Sequence, residues 1–144
     1  MRDIVPIVEG LAKALDRDDF DAASCFLSED CVYDAGGHVV TGRIAIIDSY
    51  RAASAWAHAT FDEVVYESEI DRAGVSDTSV AVIYTDRIRK GERWHTHKCR
   101  QTVDVDRRSG EVVAIVHGDF EGEAERLNAF FAACGVVRLA RAES

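Results

Sequence analysis

The segment "ERWHTHKCRQ", residues 92–101, places chemically active side chains at every second position. Alternate side chains of a β-strand lie on the same face. One face of such a strand presents five polar side chains, Arg93, His95, His97, Cys99 and Gln101. The same face continues into Val103 and Val105, which are typical of a protein interior. We therefore interpret the polar row as the wall of a pocket, with a solvated sheet surface and a metal site as the alternatives.

A metal site would combine His95, His97 and Cys99 with His117 and Asp119 from a neighbouring strand. Imidazole, thiolate and carboxylate groups are the usual protein ligands of transition metals. None of the established ligand spacings occurs in this sequence, however. We predict that the protein binds no metal ion and uses no cofactor.

Three further residues could act on a bound molecule. His117 and Asp119 share a strand face, and a histidine beside a carboxylate is a plausible acid–base pair at neutral pH. Alternatively, Asp119 caps the next segment and His117 bonds within the sheet. Tyr50, on a predicted helix, could donate a hydrogen bond to a ligand carbonyl or simply pack in the core.

Asp34, in "VYDAGG", is the candidate general base. In the predicted strand it shares a face with Val32, so it would enter an apolar pocket. Desolvation there would raise its pKa, which suits proton abstraction near neutral pH. The alternative is that Asp34 caps the turn at Gly36 and Gly37.

The helical and strand patterns that carry these residues indicate an α+β fold. Three helical patterns surround one short extended segment, and a period-two pattern then begins at Phe61. It gives a four-strand antiparallel meander, with tight turns at "KGE" and "RRSGE", and a last helix ending at Gly135. We predict one domain over residues 1–135 and a C-terminal tail over 136–144.

Composition narrows the range of partners. The 144 residues carry a net charge of −9, which argues against nucleic acid or an anionic membrane surface. No apolar stretch is long enough to cross a bilayer, and the N-terminus lacks the apolar core of a signal peptide. The four cysteines form no C-x-x-C pair. A cytoplasmic protein with reduced cysteines is expected.

The pattern "ALDRDDFDAASCFLSEDCVYDAGG…VTGRIAIIDSY", followed by "SGEVVAIVHGDFE", resembles the nuclear transport factor 2-like superfamily. Within it, the sequence is most similar to SnoaL-like polyketide cyclases and ketosteroid isomerase-like proteins. The resemblance covers about residues 4–121. It implies a cone-shaped α+β barrel, with three N-terminal helices packed on a curved, mainly antiparallel mixed sheet. It also implies one deep apolar pocket and often a dimer through the outer sheet surface.

The resemblance assigns roles to three positions. Asp34 matches the general base of ketosteroid isomerase-like members, and Gln101 matches an aspartic acid that holds the enolate oxygen. The tyrosine that completes this pair in the family is replaced by Leu11, which disfavours steroid-type isomerisation.

Two functions are therefore expected. The first is a cofactor-free isomerase, dehydratase or cyclase that acts on a small, largely apolar molecule. Its base would be Asp34, and Tyr50, His97, Cys99 and Gln101 would contact the ligand. The second is a non-catalytic module that uses the pocket for binding or the sheet for dimerisation. A homodimer through the outer sheet face, which carries Trp94 and Arg100, is predicted in both cases.

Overall fold

The computed structural model describes residues 3–137, which form four helices and six strands. In chain order the elements are α1 (Val5–Asp16), α2 (Phe20–Ser24), β1 (Leu27–Ala35), β2 (His38–Thr41), α3 (Arg43–Thr60), β3 (Glu63–Val75), β4 (Ser79–Lys90), β5 (Arg93–Asp106), β6 (Glu111–Asp119) and α4 (Glu123–Cys134). Pro6 lies in the first turn of α1, where its missing N–H costs no hydrogen bond. Gly135, with φ 68°, ends α4 as predicted. Residues 138–144, most of the predicted tail, lie outside the described part.

The six strands form one sheet in the order β2-β1-β6-β5-β4-β3. The β1–β6 pair is parallel and the other four pairs are antiparallel. The predicted meander is therefore confirmed, and the parallel pair makes the sheet mixed. The sheet is curved but not closed, so the cone is completed by helices rather than by a sixth strand pairing.

The core lies between the concave face of the sheet and the N-terminal helices. Its largest fully buried side chains include Leu11 from α1, Ile46 from α3 and Val103 from β5. A second apolar cluster, built on Phe61, Ile88 and Phe131, packs α4 against the sheet. Each such side chain contributes about 1.5–3 kcal/mol through burial. The second cluster thus anchors α4 across one end of the cone.

The faces of β1 are opposite to those predicted. Cys31 is fully buried and Tyr33 points to the interior, whereas Asp34 lies on the other face, beside the β1–β2 turn. Leu27, at the start of β1, is also fully buried and lies an even number of residues from Cys31 and Tyr33. The alternation within β1 was predicted, but which of its two faces packs against the core depends on contacts with distant segments.

Within residues 3–137, none of the helices combines the length and the apolar character that crossing a bilayer requires.

Candidate functional site

A cavity of about 400 Å³ lies between the inner face of the sheet and helices α1, α3 and α4. Much of its wall is apolar, with Ile46, Ala57, Phe61, Ile88, Leu127 and Phe131 among the lining residues. The polar lining residues are Asp16, Asp18, Tyr33, Ser49, Tyr50, Ser54, Tyr66, Tyr84, Asp86, His97, Cys99, Gln101 and His117. The cavity therefore combines apolar surface with polar groups that could orient a small molecule.

Gln101 is the centre of a hydrogen-bond network in this wall. Its side chain is buried, with 4% of its surface exposed. The Tyr50 hydroxyl donates to Gln101 Oε1 over 3.3 Å, and Gln101 Nε2 donates to the Tyr33 hydroxyl over 3.5 Å. Gln101 Nε2 also lies 3.3 Å from His117 Nδ1. Every polar atom of the Gln101 side chain is thus used, which holds the amide in one orientation.

The network assigns the tautomer of His117. An amide nitrogen donates only, so His117 Nδ1 accepts from Gln101 and the ring proton lies on Nε2. His117 Nε2 in turn lies 3.2 Å from Asp119 Oδ1, where it donates to the carboxylate. The pair predicted from the sequence is therefore formed. Asp119 itself is exposed, so this chain connects the buried Gln101 to the surface of the protein.

Tyr50, His97 and Cys99 also lie in the cavity wall, as expected from the sequence. Burial raises the pKa of Tyr50 well above its ordinary value, so the hydroxyl stays protonated and can donate. Burial likewise raises the pKa of the Cys99 thiol to about 12. Cys99 is therefore a neutral, weakly polar lining group rather than a nucleophile or a thiolate ligand.

Asp34 is not among the cavity residues. Its Oδ1 accepts a hydrogen bond from the Gly37 backbone N–H at 2.8 Å, across the turn between β1 and β2. Gly36 and Gly37 both have positive φ, so the turn needs them and the carboxylate stabilises it. The structure thus gives Asp34 the turn-capping position that was the alternative to a general base.

Asp86 is one of the three carboxylates in the cavity wall, and the sequence interpretation missed it. It lies on β4 directly opposite His97 on β5, on the same strand face as Val82 and Tyr84. Within residues 3–137 its carboxylate accepts no hydrogen bond. Burial, with a smaller effect from Asp16, raises its pKa from 3.8 to about 6. A charged residue in the middle of an apolar face was the signal that could have identified it.

A second polar group joins α3 to the turn that follows α1. Asp18 Oδ1 accepts a hydrogen bond from the Ser54 hydroxyl at 2.8 Å, and Asp18 Oδ2 lies 2.9 Å from His58 Nε2. The Ser54 hydroxyl also lies 3.2 Å from that of Tyr66. Asp18 has φ 56°, a left-handed conformation that aspartate tolerates better than most residues. These bonds position α3, and with it Tyr50, against the sheet.

Comparison with known proteins concerns the fold. No known sequence family and no curated protein matches this chain. Among solved structures, a protein assigned as a SnoaL-like polyketide cyclase from Shewanella denitrificans superposes with a TM-score of 0.66 at 14% identity, covering 88% of this chain and 97% of that one. An NTF2-like protein of unknown function from Burkholderia pseudomallei gives 0.65 at 18% identity, with 88% and 98% covered.

This protein has the nuclear transport factor 2-like fold. Another solved structure that is similar to this protein is an LEH-like epoxide hydrolase from M. tuberculosis. It has a TM-score of 0.61 at 22% identity, and the match covers 90% of this chain and 96% of that one. All three identities are too low to transfer an activity. The nuclear transport factor 2-like fold predicted from the sequence is confirmed, and a fold of this kind does not by itself determine the function.

Proposed function

We propose that the cavity binds a small, largely apolar organic molecule and that Asp86 transfers a proton on it. The observation that carries this proposal is a partly buried carboxylate in the cavity wall that accepts no hydrogen bond from residues 3–137. A volume of about 400 Å³ suits a molecule of one or two rings. A carboxylate whose pKa is raised to about 6 is ionised at neutral pH and is a stronger base than an exposed one.

Tyr84 is placed to work with Asp86. The two residues are two positions apart on β4, so their side chains lie on the same face, about 7 Å apart along the strand. Burial raises the pKa of Tyr84, so its hydroxyl remains a donor, and it has no hydrogen-bond partner within residues 3–137. A ligand carbonyl held by the Tyr84 hydroxyl would therefore place its neighbouring carbon near Asp86.

The reaction class is proton transfer next to a carbonyl. The Asp86 carboxylate removes a proton from that carbon, and the electron pair of the broken C–H bond moves into an enolate. The Tyr84 hydroxyl donates to the enolate oxygen and stabilises its charge. The proton on Asp86 then returns to another carbon, to give an isomer, or enables loss of a leaving group. Tyr50, His97, Cys99 and Gln101 would shape the ligand pocket.

The test uses deuterium exchange, which needs no knowledge of the natural substrate. A set of one- and two-ring ketones is first screened for binding by ligand-observed NMR. For ketones that bind, the wild type should speed incorporation of deuterium from D₂O next to the carbonyl. Asp86→Asn should still bind these ketones, but its acceleration of exchange should be at least about 100-fold smaller than that of the wild type. Tyr84→Phe should retain part of it.

Two results would contradict the proposal of proton transfer. One is equal exchange rates with the wild type and Asp86→Asn. The other is binding of ketones without any accelerated exchange, which would favour the non-catalytic binding module. Asp48→Asn is the matched control, because Asp48 is exposed on α3 and does not line the cavity.

We also propose a homodimer through the outer face of the sheet. Trp94 is 52% exposed and Val116 is 49% exposed, so residues 3–137 leave large apolar side chains on this sheet uncovered. Tryptophan is enriched at interface cores. In dilute solution, light scattering should give twice the chain mass of 15.9 kDa. Trp94→Glu should give the monomer mass. Ile44 is an exposed residue of α3, so the control variant Ile44→Glu should still give the dimer mass. A wild-type monomer at high concentration would refute the dimer.

A further inference from the structure

Three buried ligand-type atoms at the α4 end of the cavity lack hydrogen-bond partners. They are His95 Nε2, His97 Nδ1 and Glu123 Oε2, each without a partner within residues 3–137. The three residues can offer one donor atom each within 4.8 Å of one another. A single buried polar atom without a partner costs about 1–3 kcal/mol. Three such atoms on neighbouring side chains are better explained by a shared ligand than by three separate defects.

We propose that His95, His97 and Glu123 bind a divalent transition-metal ion of the zinc class. Two imidazoles and one carboxylate form a known zinc ligand set, whereas magnesium and calcium prefer oxygen ligands only. Bonds of about 2.0–2.1 Å in a tetrahedral site place neighbouring ligand atoms about 3.4 Å apart. His97 Nδ1 and Glu123 Oε2 lie 3.5 Å apart, close to that spacing.

The surroundings of the three side chains fit this role. Glu123 Oε1 lies 3.4 Å from Arg126, so the carboxylate is oriented through one oxygen and its other oxygen remains available. The His95 ring stacks on Phe130 with ring centres 5.0 Å apart, which limits its rotation.

A hydrogen bond between His97 and Glu123 is the simpler explanation of their 3.5 Å separation. It would leave His95 Nε2 buried and unpaired, whereas an ion satisfies all three atoms. The metal alternative weighed from the sequence contained His95 and His97 but joined them to Cys99, His117 and Asp119. The structure instead supplies Glu123, the first residue of α4.

The position of the site indicates what the ion would do. His95 and His97 lie on β5, and Glu123 lies on α4, so the ion would join the helix to the sheet. Leu127 and Phe131 of α4 line the cavity. The ion would therefore hold α4 over one end of the cavity. The proton transfer proposed for Asp86 does not require it, and the metal site does not depend on that proposal.

The test measures metal binding to untagged protein that has been treated with chelator and dialysed. Titration calorimetry with Zn²⁺ should give one ion per chain. Glu123→Gln and His95→Phe, which keep side-chain volume and ring stacking respectively, should each weaken binding at least about 100-fold. His58→Ala removes a histidine outside the cluster and should bind like the wild type. Zn²⁺ should also slow amide hydrogen exchange selectively in α4.

Cobalt identifies the ligands independently. Co²⁺ bound to the wild type should give visible bands of a four- or five-coordinate site without a thiolate charge-transfer band. Absence of Zn²⁺ binding by the wild type would overturn the proposal. So would a thiolate band, which would place the ion on a cysteine, or equal affinity in the wild type and both cluster variants. Circular dichroism on each variant checks folding. If one of the two cluster variants does not fold, the other is sufficient for the test.

Discussion

Replacing Asp86 by asparagine should stabilise the protein by about 2 kcal/mol at pH 7.5, or about 5–8 °C in Tm, and should have little effect at pH 4. The pKa of Asp86 is about 6 in the folded protein and has an ordinary value of 3.8. Between these two values the folded state binds more protons than the unfolded state, so stability falls as the pH rises through that window. Above pH 6 the wild type carries the whole cost of a buried charge. An asparagine carries no charge and avoids that cost.

Thermal unfolding of both proteins at several pH values checks this expectation. The stability difference should appear between pH 4 and 6 and remain constant above that range. Asp48 lies on the exposed face of α3, so the control variant Asp48→Asn should have a similarly small effect on stability at every pH. If Asp86→Asn is no more stable than the wild type at pH 7.5, the carboxylate is better solvated than its burial implies. A side chain that lowers stability where it stands is best explained by function.

Gln101→Leu is expected to have the largest destabilising effect in the cavity wall, about 2 kcal/mol. Leucine fills nearly the same volume, but it removes the acceptor of the Tyr50 hydroxyl and the donor to His117. A buried polar group left without its partner costs about 1–3 kcal/mol. Denaturant unfolding measures the loss directly. Thr102→Val, the next residue on β5 and on the opposite face, should change stability by less than about 0.5 kcal/mol.

A double-mutant cycle distinguishes the network from simple packing. Tyr50→Phe removes the hydroxyl that Gln101 accepts from, so the Gln101→Leu change should cost less in that background. We expect a coupling energy of about 1 kcal/mol between the two positions. Strict additivity would show that the 3.3 Å contact contributes nothing to stability, and Gln101 would then be a packing residue.

Much of the scaffold was predictable because it depends on local patterns. The period-two row of β5 predicted that His97, Cys99 and Gln101 share a face, and the structure places all three in the cavity wall. Proline at the start of α1 and Gly135 at the end of α4 mark helix ends through backbone constraints that act within a few residues. Such signals need no knowledge of the rest of the chain.

The chemistry of the site was decided by the tertiary structure. The sequence determined which side chains of each strand lie together, but not which face is covered, and in β1 the covered face is that of Tyr33 rather than that of Asp34. Desolvation in the cavity wall made Asp86 an unusual carboxylate, and the packing of α4 brought Glu123 to His95 and His97. The physical reason is that desolvation and convergence of side chains depend on contacts between segments far apart in the chain, whereas periodicity is a property of each segment alone.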